Sequence, residues 1–354
     1  MLSINLTLAT AAAVAATAAA PVASAAVFNS NGNVLIADQF NNRVIEIAPN
    51  GQIVWQFGKG PSDITRSSPL GVNDALRVGN NTLVSGTGVP PGAEPLCPQG
   101  CADNRVMIVN QDGAIIWQYG AFGVTGAGPD QLSAPVASTW TSSHTVLITD
   151  QGNQRVIEVG VDKRILWQYG ITGVAGNGPD ELNAPNSAEV LDNGDILIAD
   201  ENNNRAIVVD RGHRIVATYT AGGTLSGVAF ASGLPNGHIL ITDGNNNRVV
   251  EVNASDKIVW SYVTNTQPGS NPAPLPSRAI RLRSGATIIS DQFNHRVIVV
   301  DFAGDILQQW GTLNVPGYSP TSAKTLLNAP YDAKVIGDDT GLTWSDSLYP
   351  DWRP

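Results

Sequence analysis

The stretch Val146-Leu-Ile-Thr-Asp-Gln-Gly-Asn-Gln-Arg-Val-Ile-Glu-Val-Gly-Val-Asp-Lys-Arg-Ile-Leu-Trp-Gln-Tyr-Gly170 decides how this chain is read. It returns over 34–58, 196–220, 239–263 and 287–311, and in interrupted form between 82 and 120. Each copy holds an apolar run ending at Asp, a polar turn closed by Arg, a second apolar strand, a second turn, and a third strand such as Ile53-Val54-Trp55-Gln56-Phe57. Self-similarity at a fixed period indicates a repeat architecture. A fourth strand falls between copies and is mostly introduced by proline, over 135–140, 185–191, 225–231, 276–282 and 330–336. The motif arginines Arg43, Arg105, Arg155, Arg205, Arg248 and Arg296 are 62, 50, 50, 43 and 48 residues apart.

Four short strands per unit at a period of about 40–50 residues predict an all-β propeller. Apolar residues come in runs bounded by turns, so no helical period competes. Six arginines call for six four-stranded antiparallel blades. The C-terminal strand would join the N-terminal blade so that both ends latch the ring. A surplus strand over Gly341–Trp344 keeps seven blades as the alternative.

Composition narrows the function classes. The 354 residues carry a net charge of −10, and no run of Lys or Arg occurs, which argues against nucleic-acid and anionic-membrane partners. Residues 1–25 end in Ala23-Ser24-Ala25 and read as a secretory signal peptide, leaving 26–354 as one domain, a monomer that is secreted, periplasmic or held at the cell surface. The second copy takes an insertion over 86–102 that holds the only two cysteines, Cys97 and Cys101. In an exported chain that pair reads as a local disulfide.

Residues 34–47, Val-Leu-Ile-Ala-Asp-Gln-Phe-Asn-Asn-Arg-Val-Ile-Glu-Ile, and their copies resemble the NHL repeat over nearly all of 27–340. The resemblance implies a six-bladed propeller. It does not fix a function, because such propellers include protein- and RNA-binding modules, sensor domains and peptide-amidating lyases, with relatives among lactonases and arylsulfotransferases.

The repeated acids and bases, Asp38 with Arg43, Asp150 with Arg155, Asp200 with Arg205, Asp243 with Arg248 and Asp291 with Arg296, recur too often to mark one active site. They read as structural, with the Asp side chain bonding its turn and its Arg. Asymmetry around the channel mouth is more informative. Aligning the inner-strand entries places Asp74, Ala137, Ser187, Ser226, Arg278 and Asp332 in equivalent positions. One residue earlier stand Asn73, Val136, Asn186, Leu225, Ser277 and Tyr331. The leading reading is a binding platform for a protein or small polar ligand at Asn73, Asp74, Asn186, Ser187, Arg278, Tyr331 and Asp332, helped by the cysteine loop. The alternative is a hydrolase or lyase with calcium as candidate cofactor on Asp74, Asn186 and Asp332. None of His144, His213, His238 and His295 falls on an inner strand, which disfavours a histidine-based zinc centre.

Overall fold

The computed structural model describes residues 27–338; residues 1–25, read from sequence as a signal peptide, and 341–344, read as a surplus strand, lie outside them. Among the described residues there are six four-stranded sheets and no α-helix. Blades 2 to 6 are built from consecutive strands whose inner members are Val72–Val78, Pro135–Trp140, Pro185–Val190, Val228–Gly233 and Arg278–Arg281. Blade 1 is composite. Its inner strand is the C-terminal Pro330–Val335, which pairs antiparallel with Val34–Asp38 in the register Val34↔Val335 and Ile36↔Ala333. The ring therefore has six blades and is closed by its two ends.

Strands that are apolar on both sides explain why a ring forms. In Ile196–Asp200 and its counterparts every residue is buried, so both faces of each sheet need cover. Neighbouring blades supply it through six apolar clusters, one at each junction. Tryptophans on the outer strands cross these junctions. The indole N–H of Trp55, Trp117, Trp167 and Trp260 donates to the carbonyl of Gln111, Val161, Arg211 and Phe302 in the next blade. Blade 4 has Ala217 in that place, and its junction with blade 5 is tied instead by Asp256, which accepts from the backbone of Thr220, Ala221 and Gly222.

Within a blade the motif Asp performs three tasks. In blade 3, Asp150 accepts from Arg155 Nε at 2.8 Å, from Asn153 at 2.7 Å and from the Ser133 backbone N–H at 2.8 Å. It thereby ties the inner-strand entry to the turn and the third strand. Blade 2 has Ser85 and Gly86 where the others have Ala-Asp or its like, and the carboxylate comes from the opposite strand. Asp103 pairs with Arg105 and accepts from Leu70 N–H at 2.7 Å. A Cβ on Gly86 would lie 2.4 Å from the Asp103 carboxylate, so glycine is required there.

Blade 5 corrects the alignment made from sequence. Its inner strand begins at Val228, not Leu225, because Gly227 in the left-handed region (φ +65°) takes the place of Ala134 and Ala184 before Pro135 and Pro185. Phe230, opposite Thr242, is consequently the residue equivalent to Ala137 and Ser187, and Ala229 stands where Leu225 was expected. No proline marks this entry, and the linker before it is about half the usual length.

A further staple recurs at every junction. The left-handed residue closing each Asp-to-Arg turn accepts a backbone N–H from the next blade's entry. Asn42 accepts from Gly71, Asn104 from Ala134, Gln154 from Ala184, Asn204 from Gly227, Asn247 from Leu275, and His295 from Ala329. Only the closing junction uses a titratable acceptor, the Nδ1 of His295 at 3.1 Å. Burial pushes this ring below its ordinary value of 6.5. The unfolded chain thus takes up the proton more readily, so the staple's contribution is full above that value and is lost as pH falls through the lower folded one. His295→Asn should flatten the fall in Tm between about pH 7 and pH 5. A variant whose melting profile follows wild type over that range would show that His295 does not set acid sensitivity.

Candidate functional site

Two tiers of side chains converge on the ring axis. The upper tier stands at the mouth, on the face bearing the Asp-to-Arg turns. It combines inner-strand residues with the residue after each motif Asp, namely Gln39, Gln151, Glu201 and Gln292. Two hydrogen-bonded chains make it up. Gln292 donates to Gln39 at 2.8 Å, and Gln39 donates to Asn73 at 2.8 Å. Opposite them, the Tyr331 hydroxyl donates to Asn186 Oδ1 at 3.1 Å, and Asn186 and Gln151 both donate to one oxygen of Glu201, at 2.8 and 3.2 Å. Blades 1 and 4 face each other in the ring, so the Tyr331 side chain reaches across the mouth. Burial and the Glu201 carboxylate push its phenol well above the ordinary range, so it stays a hydroxyl donor. Burial likewise raises the Glu201 carboxyl. Phe40 and Phe293, half-buried and 6.5 Å apart between ring centres, flank the blade 6–blade 1 side.

The lower tier is ionic. Lys334 Nζ donates to Asp74 at 2.7 Å, to Asp332, and to the Ala75 carbonyl at 2.9 Å. Arg278 lies 3.3 Å from Asp74 and 3.0 Å from Asp332, with its guanidinium over the Phe230 ring at 4.3 Å. The Arg278–Asp332 approach is an ion pair without hydrogen-bond alignment. The other Asp74 oxygen accepts the Ser138 N–H at 2.7 Å, and the Asp332 oxygen that takes Lys334 also accepts the Ala75 N–H at 3.1 Å. All four ionic side chains are buried. Burial pushes the Asp74 carboxyl up, but Arg278 and Lys334 together outweigh it and hold Asp74 well below the carboxylate range. Asp332 is the member pushed up, by burial and by the Asp74 charge beside it. Because Asp332 and Lys334 belong to the C-terminal strand, Asp74 to blade 2 and Arg278 to blade 6, this network ties the closing strand to both its neighbours.

The residues singled out from sequence thus divide. Asn73, Asn186 and Tyr331 are in the mouth tier, Asp74, Arg278 and Asp332 are in the ionic tier, and the Ser187 hydroxyl accepts from Ala231 N–H at 3.3 Å. Sequence reasoning missed Lys334, Glu201 and the three glutamines. For Glu201 and the glutamines the signal was a position that changes from Gln to Glu to Gly while the Asp, Asn and Arg around it repeat.

As donors for calcium, Asp74, Asn186 and Asp332 do not converge. The Lys334 ammonium stands between the two carboxylates, and Asn186 points to Tyr331 and Glu201. For an ion to be held there, Lys334 would have to leave. Among the described residues no group of three or more His, Cys, Asp or Glu is disposed to hold a metal.

The second feature of this face is the insertion. Strands Asn81–Val89 and Cys101–Val109 run on past the blade as a two-stranded arm, pairing Val89 with Cys101, and Cys97 and Cys101 form a disulfide. Beside the arm lies an open groove lined by Thr87, Pro90, Gln99, Asn104, Thr125 and Ser133, all uncharged.

No protein-family model matches the chain, and no curated protein sequence matches it. Several solved structures are similar in fold. Virginiamycin B lyase from Staphylococcus aureus, at 14% identity and TM-score 0.53, covers 80% of this chain and 82% of its own. A protein of unknown function from Bacteroides caccae, at 14% identity and TM-score 0.54, covers 79% and 93%. At such identities the likeness concerns the fold.

Removing Lys334 leaves two buried carboxylates with Arg278 alone. Lys334→Met should cost about 3–5 kcal/mol, as expected for breaking a buried ion pair from one side. The double change Lys334→Met with Asp332→Asn should recover much of that loss in denaturant unfolding. A single variant as stable as wild type would show that the network does not hold the closing strand.

Proposed function

We propose that this chain is an exported NHL-type propeller whose mouth face binds a polar partner, with the Cys97–Cys101 arm as a second contact on the same side. What supports the reading is that the mouth breaks the repeat in composition. The Asp-Asn-Arg locks recur from blade to blade, while the set of residues brought to the axis varies around the ring, with Tyr331, Asn186 and Glu201 joined into one network. Amide groups, one carboxylate and the flanking Phe40 and Phe293 suit a ligand rich in hydrogen-bonding groups with an apolar edge, a protein segment or a small molecule. The disulfide agrees with an oxidising compartment. The motif residues 34–47 and their copies support the NHL assignment. The calcium-dependent hydrolase alternative has less support, because the Asp74–Asp332 pair already carries the Lys334 ammonium.

The reading is tested by screening polar metabolites and peptides for ligands that raise the Tm of the mature chain. Binding found this way should be lost in Tyr331→Ala and Glu201→Ala, and kept in His238→Ala on the opposite face. A partner protein captured through the arm should be lost when 86–102 is replaced by a short turn. Ligands that bind all these variants as they bind wild type would overturn a mouth-face site.

A further inference from the structure

The mouth network leaves one carboxylate short of a partner. Glu201 takes both of its amide donors, Asn186 and Gln151, on the same oxygen, Oε2. Its other oxygen accepts no hydrogen bond among the described residues, and the half-buried side chain does not close it off from solvent. No cation offsets the charge. Asn186, Gln151 and Tyr331 around it are uncharged, and Asp200 and Arg205 of the same turn are paired with each other at 2.7 Å. Arg278 and Lys334 belong to the ionic tier below, where Asp74 and Asp332 match them. Burial therefore acts on the Glu201 carboxyl with only the Asn186 hydrogen bond against it, and raises it.

Two further acceptors border the same place. The Gln151 amide donates to Glu201 through its nitrogen, so its carbonyl oxygen is left over. The Tyr331 hydroxyl donates to Asn186 and keeps its lone pairs. Blade 5 brings no side chain to compete for them, because Gly244 stands in the position that holds Glu201 in blade 4 and Gln292 in blade 6. A half-buried negative charge with acceptors beside it matches a ligand group that is cationic and only a donor. An ammonium is such a group, a compact charge with three N–H donors. A guanidinium is matched best by two carboxylate oxygens at once, and here one is already occupied. Across the mouth, Phe40 and Phe293 present the apolar surface.

We propose that the mouth receives a primary ammonium group carried on an apolar frame, with its N–H donors on Glu201, Gln151 and Tyr331 and the frame toward Phe40 and Phe293. The proposal rests on the mouth-face reading and names the ligand class for it. The net charge of −10 favours the approach of such cations. The same group occurs on a small free amine, at the amino terminus of a peptide and on a lysine side chain, and the three are separated by experiment.

The mature chain is melted at about pH 7, where a primary amine is protonated, with each of three amines at about 10 mM. The probes are phenethylamine, the amide of the phenylalanyl-glycine dipeptide with a free amino terminus, and acetyl-lysine methylamide. Each has a neutral counterpart at equal ionic strength: phenethyl alcohol, the N-acetylated dipeptide amide, and acetyl-norleucine methylamide. At least one amine should raise the wild-type Tm by about 2 °C or more over its counterpart, and the one that does so identifies the source. Glu201→Gln keeps the shape of the side chain and should weaken that amine about tenfold in titration calorimetry. The double change Phe40→Ala with Phe293→Ala should weaken it too, and His238→Ala should not. Equal melting with all three amines and their counterparts would overturn the proposal, as would an amine that binds Glu201→Gln as it binds wild type. A neutral ligand that binds wild type and is lost in Tyr331→Ala would overturn the ammonium assignment while leaving the mouth face as the binding site. If Glu201→Gln does not fold, the comparison of each amine with its counterpart on wild type decides alone.

Discussion

Each blade depends on a carboxylate taken out of water and held by its arginine. A buried aspartate is tolerable only when its oxygens are satisfied, and in blade 3 an arginine, an asparagine and a backbone N–H do this together. The three partners come from three separate segments, so the aspartate fixes the inner-strand entry, the turn and the third strand relative to one another. Once those are fixed, the apolar faces of adjacent sheets can meet, and the outer-strand tryptophans find a carbonyl on the next blade. Blade 2 shows that the requirement is chemical and not positional: Asp103 enters from the other strand, and Gly86 leaves it room.

The axis obeys a different rule. There six inner strands approach closely, and no one residue type recurs in all six blades to fill the space. The lower half is filled by two acids and two bases whose charges cancel, the upper half by amides and Tyr331. Buried ion networks of this kind are poor sources of net stability compared with apolar packing, but they discriminate strongly between right and wrong neighbours. Here the bases and acids come from the first, second and last inner strands to meet around the axis, so a strand out of register would leave a charge unpaired.

Most of the architecture was legible because the repeat is regular and its period allows few alternatives. Blade number followed from six arginines, the composite first blade from Pro330–Val335, and the disulfide from Cys97 and Cys101. The register of blade 5 was not legible, because Gly227 replaces a proline-led entry and nothing in composition reports where the left-handed residue falls. The mouth was half legible. Asn73, Asn186 and Tyr331 could be found by aligning entries. Gln39, Gln151, Glu201 and Gln292 lie beyond the motif aspartates, and only tertiary packing carries them to the axis. Lys334 was hidden for a similar reason, since it reaches the axis from one step lower on its strand than Asp332.

The pairing of Val34 with Val335 joins residues about three hundred positions apart in the sequence. A chain made from its N-terminus can complete blades 2 to 6 in turn, each from consecutive strands, while the first blade waits with three strands and an open inner edge. Closure is then the last event and a slow one, since it brings together the most distant segments of the chain. Until that moment Val34–Asp38 offers an unpaired apolar edge to any other strand nearby, including the C-terminal strand of a second copy. Exchange of that strand between two chains is thus the characteristic misassembly of this fold, and it becomes more frequent as the concentration of incomplete rings rises.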